Sequence, residues 1–280
     1  MKTFVRRHFK DEYGVEFSIC GDITTLTRMP LGLKGAYRIP DFVTNIGADA
    51  INGCNELTAL VIPKTVSVIG KNNFELCEQL TSLVVEQGNP MFDSRENCNA
   101  IIVTATNTLV HGCNSSSIPD SIEVIADSAF SQRRNLSHIS IPDSVVYIGE
   151  FAFLGCYSLE SEIKLQGIHQ VTRSCFDGCS SLKKVSIGSG IESVESGAFA
   201  GCSMLSDVVI TEGTKYIGTY AFDNCNSLAS IALPKSIERI ESTAFDRCNR
   251  IERVFIPKGT TDYFMRFDAL KQYRHRLIEL

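Results

Sequence analysis

Cysteine is the residue through which this chain could most readily do chemistry, since thiolates serve both as nucleophiles and as metal ligands. The 280 residues include eleven of them, and seven recur in one setting, at Cys54, Cys77, Cys156, Cys179, Cys202, Cys225 and Cys248. In AFAGCSML (Ala198 to Leu205) the thiol follows Phe199 by three places, and AFLGCYSL, AFDNCNSL and AFDRCNRI repeat the pattern. Catalysis needs one nucleophile, so the repetition points elsewhere. Thiolates in a row cannot surround a tetrahedral zinc ion. Equivalent side chains on stacked strands, about 4.8 Å apart, also point in parallel, so a disulfide between them would require the backbone to move. The column therefore reads as small buried apolar groups beside the phenylalanines.

The other four cysteines, Cys20, Cys98, Cys113 and Cys175, show no CxxC spacing. Cys175 takes the Ala place beside Phe176 and is assigned to the core. Cys98 and Cys113 flank an insertion and could approach as a disulfide or metal pair; with His111 they are the residues on which an enzymatic reading would rest. His8, His111, His138, His169 and His275 form no HExxH motif, the chain has no GxSxG elbow, and these histidines read as surface residues. Gly188-Ser189-Gly190 falls where other copies carry Pro-Asp-Ser, which makes it a repeat turn rather than a phosphate loop. No catalytic residue, metal or cofactor is expected.

What positions these residues is a repeat of 23 residues. Phenylalanine returns at Phe130, Phe153, Phe176, Phe199, Phe222 and Phe245, with Phe74 and Ile51 upstream. A further column runs Leu57, Leu80, Leu136, Leu159, Leu182, Leu205, Leu228 and Ile251. Copies begin at Ile39, Ile62, Val85, Ile118, Ile141, Lys164, Ile187, Ile210 and Leu233, with a partial one from Ile256, and only the third, at 33 residues, departs from the period. A single copy has too few apolar side chains to enclose a core, so neighbours must stack and share one, which makes the chain a solenoid.

Within a copy, the alternation Leu136-Ser-His-Ile139-Ser-Ile141 predicts a short strand with Ile139 and Ile141 inward and His138 and Ser140 outward. Val145 to Ile148 predicts a second extended segment, and AFxGC, too short for an independent helix, predicts one helical or 3-10 turn per coil. After Leu159 the apolar pair is Ile163 and Leu165, one place later than Ile139 and Ile141 after Leu136. A one-residue slip turns every side chain over, so a β-bulge is expected near Glu162. Arg133 stands in the cysteine column and is expected to open its coil to solvent. Residues 1–38 are expected to form an N-terminal cap with a hairpin. The enlarged copy, 85–117, is expected to carry a second hairpin, built from Ala100–Thr104 and Thr108–Gly112. Residues 260–280 are expected to be a helical cap with Tyr263, Phe267 and Leu270 on one face.

The consensus IPxSVxxIGxxAFxGCxSLxxI, carried through its leucine by Ile141 to Leu159, resembles the BspA-like branch of the leucine-rich repeats from Ile39 to about Gly259. The enlarged copy resembles a hairpin-bearing variant of the same family. The resemblance implies a β-rich, right-handed, curved leucine-rich-repeat solenoid of short parallel strands, and a role in protein or host-matrix adhesion at a bacterial surface.

Composition narrows the partners. A net charge of -5 and basic residues in short pairs such as Arg133-Arg134 argue against nucleic acid. No run of eighteen apolar residues predicts a membrane span. The N-terminal charges Lys2, Arg6, Arg7 and Lys10 leave no apolar segment of a secretory signal, so the chain as written is expected in the cytoplasm, or at the cell surface or secreted if a signal was trimmed. An odd number of cysteines in a chain of this size fits a reducing compartment.

The surface left for function is the outward side of the main strands. Its places are Ala59 and Val61, Ser82 and Val84, His138 and Ser140, Lys184 and Ser186, Asp207 and Val209, Ser230 and Ala232, and Arg253 with Phe255. The expected function is a non-catalytic, monomeric module binding a protein, host-matrix or glycan ligand through this face. The alternatives are a structural segment of a larger assembly and, last, an enzyme using the hairpin residues.

Overall fold

Stacked repeats bury their apolar columns only by adding main-chain hydrogen bonds between coils, and the computed structural model, which describes residues 6–280, is built from such bonds. The chain divides into two compact units, one ending at Pro119 and the other running Asp120–Leu280.

In the N-terminal unit, Arg7–Lys10, Glu16–Cys20 and Ile23–Arg28 form an antiparallel meander whose last strand runs parallel to Asn45–Ile46, which in turn pairs with Val68–Ile69. Gly35–Arg38, Leu57–Ile62 and Ser82–Val85 make a parallel sheet. The hairpin of the enlarged copy pairs Ala100–Val103 with Thr108–Gly112 across a 3-10 turn at Thr104–Thr106, and Asn107 closes it at φ 49°. Phe74 has no phenylalanine above it; its ring meets His111 at 4.9 Å and 58°.

The C-terminal unit is the regular part. Ile163–Leu165, Lys184–Ile187 and Asp207–Ile210 form one parallel sheet, and Gln170–Val171, Ser193–Val194, Tyr216–Ile217 and Arg239–Ile240 a second. Ser230–Ala232 and Arg253–Ile256 continue the main strand series in a further parallel sheet. Six phenylalanines, Phe130 through Phe245, stack ring on ring at 5.0 to 5.6 Å and within 13° of parallel.

The AFxGC corner is a run of hydrogen-bonded turns and not the helical turn expected from the sequence. Alternate residues donate to the next coil, as in Phe151 to Arg173, Phe153 to Cys175 and Gly155 to Asp177, while Leu154 donates back to Phe151. Such alternation requires left-handed residues, and two places supply them. Phe151, Ser174, Gly197 and Tyr220 hold one, and Gly155, Gly178, Gly201 and Asn224 the other, all at φ between 48° and 75°. Positive φ breaks a helix, which is why helix-compatible residues do not make one here.

Three other expectations are corrected. Arg133 does not open its coil: it is 2% exposed, and its N–H donates to Phe130 as Cys156 does to Phe153, because main-chain atoms close the turn whatever the side chain. His138 and Ser140 face outward, but Leu136–Ile141 forms no strand. The C-terminal cap holds two single turns, Thr261–Phe264 and Asp268–Lys271, and a last strand, Leu277–Glu279, parallel to Arg253–Ile256. Phe264, Ala269, Leu270 and Tyr273 face inward, in place of Tyr263 and Phe267. Phe255 pairs with Ile278 of that strand.

Candidate functional site

The cysteines of the column are buried and hydrogen-bonded to main-chain carbonyls. Each thiol in the regular stack donates to the phenylalanine carbonyl of the coil before: Cys156 to Phe130, Cys179 to Phe153, Cys202 to Phe176, Cys225 to Phe199 and Cys248 to Phe222, at 2.9 to 3.3 Å. Cys77 does the same to Ile51 at 3.1 Å. The carbonyls of Phe153, Phe176, Phe199 and Phe222 also accept the N–H of their own coil's cysteine, and that of Phe130 the N–H of Arg133, so the thiol joins two coils through one oxygen. At the end of the stack, where no further cysteine follows, the Tyr273 hydroxyl reaches the Phe245 carbonyl at 3.3 Å.

All eleven cysteines are free, and burial raises the thiols of Cys175, Cys179 and Cys202 above the ordinary range. At Cys225 the neighbouring Cys248 thiol raises it first and burial adds to that. A raised thiol is a poor nucleophile at neutral pH. On the hairpin, Cys98 and Cys113 are buried and donate to the Ala100 and Asn99 carbonyls rather than to each other, and burial pushes Cys98 up to about 11. Among the described residues no group of His, Cys, Asp and Glu is arranged to hold a metal ion.

The strand face is where the coils differ. In the N-terminal unit Ala59 pairs with Ser82 and Val61 with Val84, a small and uncharged surface. In the C-terminal unit Lys184 is in register with Asp207 and Ser186 with Val209; Ser230 aligns with Arg253 and Ala232 with Phe255. The Lys184 ammonium lies 3.3 Å from Glu162 and 3.6 Å from Asp207, and these two carboxylates, Glu162 foremost, raise it above its ordinary value. A ladder of alternating sign thus runs up this face, where like charges one coil apart would repel.

Below Glu162 the ladder opens. The extra residue of this copy sits in a bend at Ser161, whose hydroxyl accepts the Ile139 N–H at 3.0 Å, and no strand pairing joins Ile139–Ile141 to Ile163–Leu165. The slip expected as a β-bulge is therefore a break in the sheet. It leaves a groove of about 610 Å³ lined by Asp120, Ser140–Ser144, Glu162, Lys164 and Gln166. Three carboxylates there face one ammonium. Of the outward places named from the sequence only Ser140 lines this groove. Lys164 and Glu162 were passed over because the outward places were counted from the regular period, although the same one-residue slip marks them.

The geometry agrees with known proteins of one kind. The model of the BspA type leucine rich repeat region, in six copies, matches residues 36–111, 110–214 and 192–267. Among solved structures, a leucine-rich repeat protein from Eubacterium ventriosum is 26% identical over 76% of this chain, with a TM-score of 0.62, and the chain spans 64% of that protein's length. The pneumococcal vaccine antigen PcpA is 15% identical with a TM-score of 0.65, covering 99% of this chain and 98% of its own. A leucine-rich repeat protein from Bacteroides ovatus is 21% identical over 91% of this chain and 70% of its own, with a TM-score of 0.55. No curated protein matches the sequence. Among the described residues no helix is long and apolar enough to cross a membrane. With its 23-residue coils, its phenylalanine and cysteine columns and a family match over most of its length, the chain belongs to the BspA-type leucine-rich repeat family.

Proposed function

We propose that this chain is a non-catalytic protein-binding module and that its C-terminal unit engages a partner protein through the strand face. The observation that carries the reading is the groove at the break in the sheet, beside the Glu162–Lys184–Asp207 ladder. A regular ladder of short side chains offers a smooth surface; a break gives a partner side chain somewhere to enter. Asp120, Asp143 and Glu162 against Lys164 make the groove acidic, so the entering group is a lysine or arginine of the partner. Family membership supports a binding or adhesion role of this kind, and the buried, proton-holding thiols support the absence of catalysis.

The test is a pull-down from extracellular matrix and from cell lysate with the immobilised chain, run in parallel with an Asp143→Asn, Glu162→Gln variant. A protein retained by the native chain and lost from the variant, with retention falling as salt rises, is the expected result. Equal retention by both chains, or none by either, would remove the groove from the binding surface.

A further inference from the structure

On the corner side of the C-terminal unit, one coil lacks side chains. Each AFxGC corner has three places on this side of the coil: two before the phenylalanine, one after it and two after it. Neighbouring coils fill them with Phe151, Leu154 and Gly155, with Ser174, Asp177 and Gly178, with Tyr220, Asp223 and Asn224, and with Thr243, Asp246 and Arg247. In the coil of Phe199 they are Gly197, Ala200 and Gly201. The result is a notch of about 600 Å³ whose floor is main chain and one methyl group. The phenylalanines of the three coils are 5.4 Å apart, so the flanking walls are about 11 Å apart, near twice the usual spacing of neighbouring strands.

The walls are polar and reach over the floor. The Asp177 carboxylate lies 3.9 Å from where a Cβ of Gly201 would be, and the Ser174 hydroxyl 3.0 Å from that of Gly197. On the opposite wall Asp223, 6% exposed, is held by Arg247 from the next coil in a two-pronged pair through Nε at 2.8 Å and through Nη2. Tyr220 stands beside them, 47% exposed, and Arg173 lines the other end. Burial raises the Asp177 carboxyl above its ordinary value, and the Asp223 charge contributes in the same direction.

These walls select a ligand class. Two guanidinium groups balance two carboxylates, so the notch favours neither anion nor cation. A phosphate would meet both aspartates, a metal ion would find Asp223 already held by Arg247 and Asp177 the one carboxylate left among the lining residues, and a hydrocarbon would strand the polar lining. A neutral ring rimmed with hydroxyls fits: each hydroxyl both donates and accepts, the Asp177 carboxylate accepts and the Arg173 guanidinium donates, both outside the Asp223–Arg247 pair, and the Tyr220 ring offers an apolar face. We infer that the notch between the coils of Phe176 and Phe222 binds a pyranose sugar. The inference does not depend on the strand-face reading, since its residues lie on the corner.

Saturation-transfer NMR with the methyl glycosides of glucose, galactose, mannose and N-acetylglucosamine tests it, and an array of immobilised oligosaccharides distinguishes a free sugar from the terminal residue of a glycan. Ala200→Leu fills the notch with the side chain that Leu154 already places at the equivalent point, so the coil should still fold. At least one glycoside or array glycan should bind the native chain. Ala200→Leu and, separately, the exposed substitution Tyr220→Ala should each weaken that binding tenfold or more, whereas Lys184→Ala should leave it unchanged. Absence of binding to every probe, or binding that survives both notch substitutions, would overturn the assignment. Should Ala200→Leu lose its fold, Tyr220→Ala decides alone.

Discussion

Along the C-terminal unit the corner repeats itself and the strand face does not. Every coil from Phe153 to Phe245 places a phenylalanine on the one before and ends a thiol on the same carbonyl, while over the same stretch the outward strand places read Glu162, Lys184, Asp207, Ser230 and Arg253. The cause is what each side chain packs against. A corner residue meets its own copy, and a flat ring or a thiol under a carbonyl is satisfied by an identical neighbour. An outward residue on the strand face also meets its counterpart, but a charge is not satisfied by the same charge, so the signs alternate and the sequence is free to vary. Specialisation then follows wherever identity lapses, whether by the slip at Ser161 or by the missing side chains at Gly197, Ala200 and Gly201.

The largest effect should come from breaking the corner. Phe199 is fully buried between two parallel rings at 5.4 Å, and its coil cannot collapse into the gap because the main-chain bonds on both sides fix its spacing. Phe199→Ala should cost about 3 to 5 kcal/mol, as for large-to-small changes in packed cores. A shift of the denaturant midpoint corresponding to less than about 1 kcal/mol would mean that the stack carries little of the stability. The same truncation at Phe74, whose ring meets a histidine instead of another phenylalanine, isolates what ring-on-ring stacking adds.

The contrast also explains what could be read from the residues alone. The period, the three columns and the hairpin at Ala100–Gly112 were legible, because a side chain that must match its copy has to recur. The corner's conformation was not: Phe151, Ser174 and Tyr220 carry no mark of positive φ, since the bonds from neighbouring coils impose it. Arg133 misled for a related reason, its polarity suggesting exposure where the turn is closed by main-chain atoms. In the cap, helical spacing pointed to Tyr263 and Phe267, but the chain breaks after one turn and seats Phe264 instead. The slip after Leu159 was visible; that a bend with a serine hydroxyl would relieve it, leaving a groove, depended on how two coils meet.

The thiols sharpen the comparison through pH. Their folded values lie above the ordinary thiol range for Cys175, Cys179 and Cys202, where burial is the chief cause, whereas in the unfolded chain they ionise near pH 8.5; in the Cys225–Cys248 pair the mutual hydrogen bond raises one thiol and lowers the other. The folded chain therefore holds more protons in alkali, so stability is fully present below about pH 8.5 and falls as pH rises above it. Each such thiol should remove about 1.4 kcal/mol per pH unit until its own folded value is reached. Denaturant midpoints at pH 8, 9 and 10 should decline steeply, and Cys202→Ala should make the decline shallower. In the native state iodoacetamide should reach Cys20, the one cysteine not fully buried, before any of the others. A flat profile, or rapid labelling of the column, would contradict the burial on which the corner depends.

The smallest expected effect on stability is the most informative about function. Lys184 is half-buried, with its side chain 42% exposed, and its contacts with Glu162 at 3.3 Å and Asp207 at 3.6 Å are surface ion pairs screened by solvent. Lys184→Ala should leave the denaturation midpoint where it is. It should nevertheless change binding, because removing the one positive charge between two carboxylates extends the acidic field of the neighbouring groove along the face. A partner that inserts a basic side chain should associate faster with this variant at low salt, and the gain should vanish at high salt. If the midpoint moves as far as it does for a corner residue, then the strand face is part of the scaffold. If association is unchanged at every salt concentration, the partner docks away from the ladder, and the groove has to be probed without it.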